Sequence, residues 1–238
     1  MDATGPITPE ARRLWQEEVR RLYAQMMTHR EPYSVLAAGL EIMVLPNVFS
    51  PKYITNSAWF ADEVTHLVGK KRLLEIGTGT GLVALAAALG GAVVSATDLN
   101  PCAVQNARLN FHTYGVKETV YEGDVFDPVH PDERFDYIFW NHPFNRGDNP
   151  KEIMLLRAGF DYEYQSLTRY IAEARRYLTP GGRLLLGTGN FADLSKVHSI
   201  AASHGYRPFL LASKEFPVGP CSSLRNVYHI YELQSPPS

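Results

Sequence analysis

The sequence has no excess of basic residues. Its 238 residues carry 23 Lys and Arg against 25 Asp and Glu, which gives a formal net charge of −2. No global positive field is therefore expected to attract nucleic acid or an anionic membrane, although a local basic patch stays open. We expect no membrane partner, and nucleic acid is the less favoured partner.

Cysteine is scarce, with two residues in the chain. Cys102 and Cys221 lie far apart and form no C-x-x-C pair. This content disfavours both a disulfide framework and a zinc site, and it favours a reducing cytoplasm. The histidines show no metal-ligand spacing, so we expect no bound metal.

Long hydrophobic runs are also missing. The longest, Leu82 to Val94, has 13 residues and is broken by two glycines, which is too short to span a bilayer. The opening residues "MDATGPITPE" carry two acids and two prolines where a signal peptide needs basic and then apolar residues. With 45% hydrophobic residues, the chain fits one large domain with an appendage.

From residue 72 onward, short apolar runs alternate with helical segments. Five such runs precede two closing strands, "YRPFLLASKEF" and "NVYHIYEL". This alternation predicts an α/β fold with a mostly parallel sheet covered by helices on both faces. Ahead of it, Thr8-Pro9-Glu10 predicts a helix start, and Leu40 to Tyr53 predicts a short hairpin or ribbon. We assign residues 1–45 to an N-terminal helical cap and ribbon, and residues 46–238 to the main domain.

A glycine-rich turn, "LLEIGTGTGL", lies between the first of these strands and the helix after it. Its glycines fall at 77, 79 and 81, so the third glycine of the dinucleotide-binding G-x-G-x-x-G pattern is replaced by Leu82. The sequence contains no G-x-x-x-x-G-K-[ST] either. Neither a dinucleotide fingerprint nor a P-loop is therefore present.

This E-x-G-x-G-x-G pattern resembles the class I S-adenosylmethionine-dependent methyltransferases. The resemblance implies a Rossmann-like seven-stranded sheet with an antiparallel last strand, and S-adenosyl-L-methionine as cofactor. That cofactor carries a sulfonium and an ammonium, which favour a carboxylate, and glycines allow close backbone approach. The residues matched to the motif are Glu75, Gly77, Thr78, Gly79 and Gly81.

Two further acids follow the next two strands. In the family, the acid at Asp98 accepts hydrogen bonds from the ribose hydroxyls, and the acid at Asp124 accepts from the adenine amino group. Their neighbours Leu99 and Val125 are assigned to the same cofactor site. Asp98 as a helix cap and Asp124 as a turn residue are the alternatives, but three features in order at three strand ends favour the cofactor.

At the end of the fourth strand, Asn141-His142-Pro143-Phe144 resembles the [DN]-P-P-[YFW] motif of methyltransferases that act on planar nitrogens. These include release-factor glutamine methyltransferases and adenine N6-methyltransferases. The resemblance implies that the Asn141 side chain and the His142 carbonyl each accept one N–H. Phe144 would stack on the planar group, with Pro143 beside it, and Asn141 would also border the cofactor.

His142 departs from the motif, which has Pro at this position. The carbonyl survives the change, and Pro143 still favours extended geometry at His142. The imidazole could act as a base near neutral pH, could reshape the pocket, or could point away from the site. The sequence leaves these three open.

"VFSPKYIT", Val48 to Thr55, resembles the V-x-x-P-x-x-x-T segment that precedes the fold in glutamine methyltransferases. Pro51 and Thr55 match that pattern. Such a loop would cover the site, with Thr55 near the cofactor and with Phe49 and Tyr53 as walls of the substrate pocket. Ordinary packing of these two aromatic residues is the alternative.

These resemblances predict N-methylation of an amide or amine on a protein side chain or small molecule. Three alternatives stay open: a biosynthetic O- or N-methyltransferase of small molecules, an adenine N6-methyltransferase on RNA or DNA, and a cofactor-binding protein without activity. The sequence identifies neither the acceptor nor the oligomeric state.

Overall fold

The computed structural model describes residues 7–54, 56–117, 119–147 and 153–235. Over those ranges, no helix has the length and apolar character needed to cross a membrane. The helices are α1 Pro9–Met26, α2 Asn56–Val68, α3 Leu82–Leu89, α4 Pro101–Thr113, α5 Met154–Arg157, α6 Gln165–Glu173 and α7 Leu194–Ser203. The strands are β1 Tyr33–Ala37, β2 Leu40–Val44, β3 Arg72–Ile76, β4 Val93–Asp98, β5 Thr119–Glu122, β6 Phe135–Asn141, β7 Leu178–Gly189, β8 Arg207–Pro217 and β9 Arg225–Gln234.

Seven strands form the main sheet, in the order β5-β4-β3-β6-β7-β9-β8. The pairs from β5 through β7 are parallel, and β9 runs antiparallel to both of its neighbours. The predicted fold class, a mostly parallel Rossmann-like sheet with an antiparallel last strand, is confirmed.

The central strands are apolar on both faces because helices cover both. Successive residues of a strand point to opposite sides. Leu73 and Phe139 accordingly join a cluster that includes residues of α2, α3 and α4. Their neighbours Leu74 and Ile138 join a second cluster that includes residues of α6 and α7.

Helix α1 begins where the sequence predicts it. The Thr8 side chain accepts a hydrogen bond from Ala11 N at 3.1 Å, which satisfies one free N–H of the first turn. The buried stripe of α1 packs against residues beyond the ends of β6 and β7. Trp15 stacks on Phe191 with ring centroids 5.1 Å apart. The helix therefore covers the edge of the sheet where strands end.

The predicted ribbon over Leu40 to Tyr53 is only partly correct. The hairpin consists of β1 and β2, so it begins at Tyr33, and residues 45–53 form turns instead. Its two-residue loop places Ala38 at φ 49° and Gly39 at φ 72°. A loop with two positive φ angles usually carries Asn or Asp with Gly. Because Ala stands at the first of these positions, the sequence did not predict this turn. The boundary at residue 45 stays a prediction.

Strand β3 has β4 on one side and β6 on the other, although β6 comes much later in the chain. Helices leave in opposite directions at such a point, which opens a crevice at the carboxyl ends of the strands. The glycine turn, Asp98 and Asn141 follow or end these three strands. The fold therefore brings the predicted site residues to one edge.

Candidate functional site

The glycine turn follows β3 and adopts backbone angles that favour glycine. Gly77, Gly79 and Gly81 have φ of 64°, 57° and 82°. A Cβ at Gly77 would lie 2.8 Å from the indole nitrogen of Trp140, so a side chain there would displace that ring. Gly81 faces inward instead, with Ala107 and Phe111 against it. It allows α3 and α4 to pack closely.

Glu75 is buried beneath this turn, with 4% of its surface exposed. Its Oε2 accepts hydrogen bonds from Thr78 Oγ1 at 2.6 Å and from Ala84 N at 3.1 Å. Burial raises the pKa of Glu75 to about 8, although those two bonds partly offset the effect. Without a neighbouring cation this carboxyl is therefore mainly protonated at neutral pH, and a neighbouring cation would favour its ionised form.

Asp98 ends β4 and holds the glycine turn from the side. Gly79 N donates to its Oδ2 and Asn100 N donates to its Oδ1, both at 2.8 Å. Burial raises the pKa of Asp98 to about 6. The cap of α4 is Asn100, whose Oδ1 accepts from Cys102 N at 3.0 Å. Each Asp98 oxygen keeps a further lone pair for a ligand.

Asp124 lies two residues beyond β5 and is paired with a cation. Arg169 donates to Asp124 Oδ2 at 3.0 Å and also binds Asp127. The next residue, Val125, has φ 49°, which is strained for a β-branched residue. Thr97 Oγ1 donates to the Val125 carbonyl at 3.1 Å and helps to hold it.

A cavity of about 170 Å³ lies among these groups. It brings together most of the residues that the sequence assigned to the cofactor: Glu75, Gly77, Thr78, Gly79, Asp98, Leu99, Asp124, Val125 and Asn141. Gly81 does not line it. Thr55 lies outside the described residues. One wall of the cavity was not predicted from the sequence, because its segment shows no regular period; it is formed by Met154, Leu155, Phe160 and Asp161.

A second cavity of about 60 Å³ adjoins the first, since Asn141 and Phe49 line both. Aromatic side chains supply much of its wall. Phe144 lies between Trp15 and Tyr228, with ring centroids 6.5 Å and 6.0 Å away. The cavity therefore suits a small planar group that packs on aromatic faces.

Asn141 is the last residue of β6 and stands where the two cavities meet. Its Oδ1 is buried and accepts no hydrogen bond from any residue in the described ranges. Gly187 on β7 leaves room beside it, since a Cβ there would lie 3.1 Å from the Asn141 Cα. A buried acceptor without a donor costs free energy, so a ligand N–H is its expected partner.

His142 and Tyr53 occupy different places. The His142 ring is 1% exposed, and its Nε2 lies 2.9 Å from Thr188 Oγ1. Burial lowers the pKa of His142 to about 3, so the ring is neutral at physiological pH. Pro143 lines the larger cavity. Tyr53 lines neither cavity, and its hydroxyl lies 2.6 Å from His29 Nε2.

The sequence is similar to those of known methyltransferases. The family described as "Methyltransferase small domain" matches residues 39–216. The ribosomal protein uL3 glutamine methyltransferase of Burkholderia pseudomallei is 29% identical over 204 residues, which cover 74% of this chain and 66% of that protein. The release factor glutamine methyltransferase of Geobacter sulfurreducens is 30% identical over 162 residues, which cover 63% of this chain and 56% of that protein.

Among solved structures, the 16S rRNA N2 G1207 methyltransferase of T. thermophilus, in complex with AdoMet and guanosine, has a similar fold. Its TM-score is 0.62 at 19% identity, over 86% of this chain and 50% of that one. The chain thus spans less than two thirds of each of these three proteins. The structural likeness supports the fold. Since the family match extends over well more than half of the sequence, the chain belongs to the methyltransferase small domain family.

Proposed function

We propose that the protein is an S-adenosylmethionine-dependent methyltransferase that methylates the nitrogen of a protein side-chain amide, with glutamine as the leading candidate. The observation that carries this proposal is the buried, unpaired Oδ1 of Asn141 at the junction of the two cavities. The glutamine methyltransferases among its relatives support the choice of acceptor.

The larger cavity fits the cofactor by the chemistry of its walls. The glycine turn lets a ligand approach the backbone, and Asp98 offers lone pairs to ribose hydroxyls. Glu75 lies where a cationic amino acid moiety would offset the cost of its buried charge. Asp124 Oδ2 is already engaged by Arg169, so Oδ1 is its candidate acceptor for the adenine amino group. The bound cofactor would supply an electrophilic methyl group.

In the smaller cavity, the protein's task is to position a weak nucleophile. The lone pair of an amide nitrogen is delocalised, so its reaction depends on orientation and on acceptors for its protons. Asn141 Oδ1 accepts one N–H, the His142 carbonyl accepts the other, and Phe144 packs on the amide plane. The neutral His142 ring serves as a wall and not as a base, because its pKa is about 3.

Labelled methyl transfer tests the proposal. Lysate from a strain that lacks the protein, incubated with purified protein and S-adenosyl-[methyl-³H]methionine, should incorporate label into protein. Acid hydrolysis of that protein should release the label, because it breaks side-chain amides. Asp98→Ala should bind the cofactor more weakly in calorimetry and reduce the label in proportion.

Other fractions identify the alternatives. Label confined to RNA or DNA would indicate that the methyl acceptor is a nucleic-acid base and not an amide. Label confined to metabolites would indicate an enzyme that acts on small molecules. Binding of S-adenosylmethionine with no methyl transfer to any fraction would support the alternative that the protein binds the cofactor but has no activity. Cytoplasmic location, expected from the cysteine content, stays a prediction.

A further inference from the structure

Strand β9 departs from its own pattern at Asn226. The inward-facing residues Asn226, Tyr228 and Ile230 are 0%, 3% and 0% exposed, and Asn226 alone among them carries an amide. Neither Nδ2 nor Oδ1 of Asn226 has a hydrogen-bond partner among the described residues. An unpaired buried amide is costly and rare in a folded protein, so its presence requires a reason.

The Asn226 side chain lines the smaller cavity together with Phe144. A Cβ at Gly189 would lie 2.8 Å from Cε2 of Phe144 and 3.0 Å from Oδ1 of Asn226. The ring edge and the amide therefore meet above the bare Cα of Gly189. Burial raises the pKa of the neighbouring Tyr228 to about 12, and the nearby Asn226 amide partly offsets this, although the two groups do not meet the geometry of a hydrogen bond.

We propose that Asn226 binds the carbonyl oxygen of the acceptor amide and thereby selects a primary carboxamide. This inference rests on the proposed function. A primary carboxamide has two N–H groups and one oxygen. Asn141 Oδ1 and the His142 carbonyl take the two N–H groups, which leaves the oxygen to be satisfied by the wall of the smaller cavity. Asn226 Nδ2 is an unpaired donor on that cavity's wall.

An acceptor at Asn141 and a donor at Asn226 together discriminate between substrates. A carboxylate would place an anionic oxygen against Asn141 Oδ1, and an aliphatic amine has no oxygen for Asn226. The described lining includes no Lys or Arg, and His142 is neutral, so no protein side chain there neutralises an acid. Sites built to hydrogen-bond a polar group discriminate strongly because a wrong ligand leaves buried groups unpaired.

A purine amine beside a ring nitrogen would offer the same donor and acceptor. The cavity volume favours the smaller group, because about 60 Å³ is roughly a third of the 170 Å³ where the whole nucleoside cofactor is proposed to bind. A carboxamide at the tip of a flexible side chain therefore fits better than a base.

Saturation-transfer NMR with protein saturated by S-adenosylhomocysteine tests this assignment. The probes are N-acetylglutamine methylamide, its glutamate counterpart and 9-methyladenine. The glutamine probe should bind and the glutamate probe should not. Asn226→Leu and the isosteric Asn226→Asp should each weaken the glutamine probe at least tenfold, because both remove the donor. Asn106→Ala is the matched control, since this buried asparagine lies away from both cavities, and it should leave probe binding unchanged.

The outcomes separate the two proposals. Failure of the wild-type protein to bind S-adenosylhomocysteine in calorimetry would refute the proposed function. Normal cofactor binding with equal glutamine-probe affinity in Asn226→Asp would refute only the role of Asn226. Tighter binding of 9-methyladenine than of the glutamine probe would overturn the proposal that the acceptor is a carboxamide and would indicate a base instead. Loss of cofactor and probe together in both Asn226 variants would show that the residue is structural.

Discussion

Two regions of the molecule bury asparagine and use it in opposite ways. Under the β1–β2 hairpin, Asn106 and Asn110 of α4 are 0% and 1% exposed. Asn106 accepts from Leu45 N at 2.7 Å and donates to the Met43 carbonyl at 2.7 Å. Asn110 accepts from Met43 N at 2.9 Å and also donates to that carbonyl. Both side chains replace strand partners that β2 lacks on this edge.

Around the smaller cavity, three asparagines instead carry buried amide atoms without a partner. Asn226 is 0% and Asn56 is 3% exposed. Both amide atoms of Asn226, and Oδ1 of both Asn56 and Asn141, have no partner among the described residues. All three line the smaller cavity. Burial alone therefore does not identify a functional asparagine. The observation that points to a ligand is a buried amide atom that has no partner and lies at a cavity wall.

The largest effect is expected at Asn141. Asn141→Ala removes the proposed acceptor for a reacting N–H, so turnover should fall about 10²–10³-fold, as for loss of one preorganised group at a reacting centre. Cofactor affinity should change little, because that site has many other contacts. Single-turnover kinetics and calorimetry measure the two quantities. Wild-type turnover in this variant would show that a residue other than Asn141 accepts the hydrogen bond from the reacting N–H.

Glu75 extends the comparison to a carboxyl that has partners but is still unfavourably buried. Its pKa is about 8 in the folded protein, above the ordinary value of 4.5. The folded state therefore binds more protons than the unfolded state between these values, and its stability falls as pH rises through that window. Between pH 5 and pH 7 the loss should be about 2 kcal/mol, since one proton contributes 1.36 kcal/mol per pH unit.

Glu75→Gln should remove the part of the pH dependence that Glu75 contributes, which urea denaturation at both pH values would measure in the ligand-free protein. A smaller loss of the same sign should remain, because burial also raises the pKa of Asp98 to about 6. Asp136 is the control of opposite sign, because hydrogen bonding from Arg72 N lowers its pKa. Its contribution is present above the unfolded pKa and is lost as pH falls through the folded pKa. An unchanged pH dependence in Glu75→Gln would mean that another group titrates.

The paired and unpaired asparagines should differ in the sign of their effect on stability. Asn106→Ala leaves Leu45 N–H without its partner, so the free energy of unfolding should fall by about 1–2 kcal/mol. Asn226→Leu removes an amide that has no partner, so stability should stay the same or rise. Equal destabilisation of the two ligand-free variants in urea would end the distinction between the regions.

The fold could be predicted well from the sequence because the hydrophobic periodicity of strands and helices and the residues of turns are local features of the chain. Asp98 and Asn141 stand at strand ends as expected, since apolar runs fix where the strands stop. Two features of the site were not predicted, because they depend on contacts between residues that lie far apart in the sequence. Arg169 meets Asp124 across 45 residues, and Asn226 lies in a strand that reads as ordinary alternation. The available indication at Asn226 was an amide in an inward position where β9 otherwise carries apolar or aromatic residues.

The smallest effect is expected at His142, although it lies beside these asparagines. With a pKa of about 3, its ring stays neutral from pH 5 to pH 8 and has little capacity to accept a proton from an amide. The kcat profiles of the wild type and His142→Gln should therefore have the same shape over this range, with a common offset from changed packing against Thr188. A break near pH 6 to 7 that only the wild type shows would instead assign proton transfer to the imidazole.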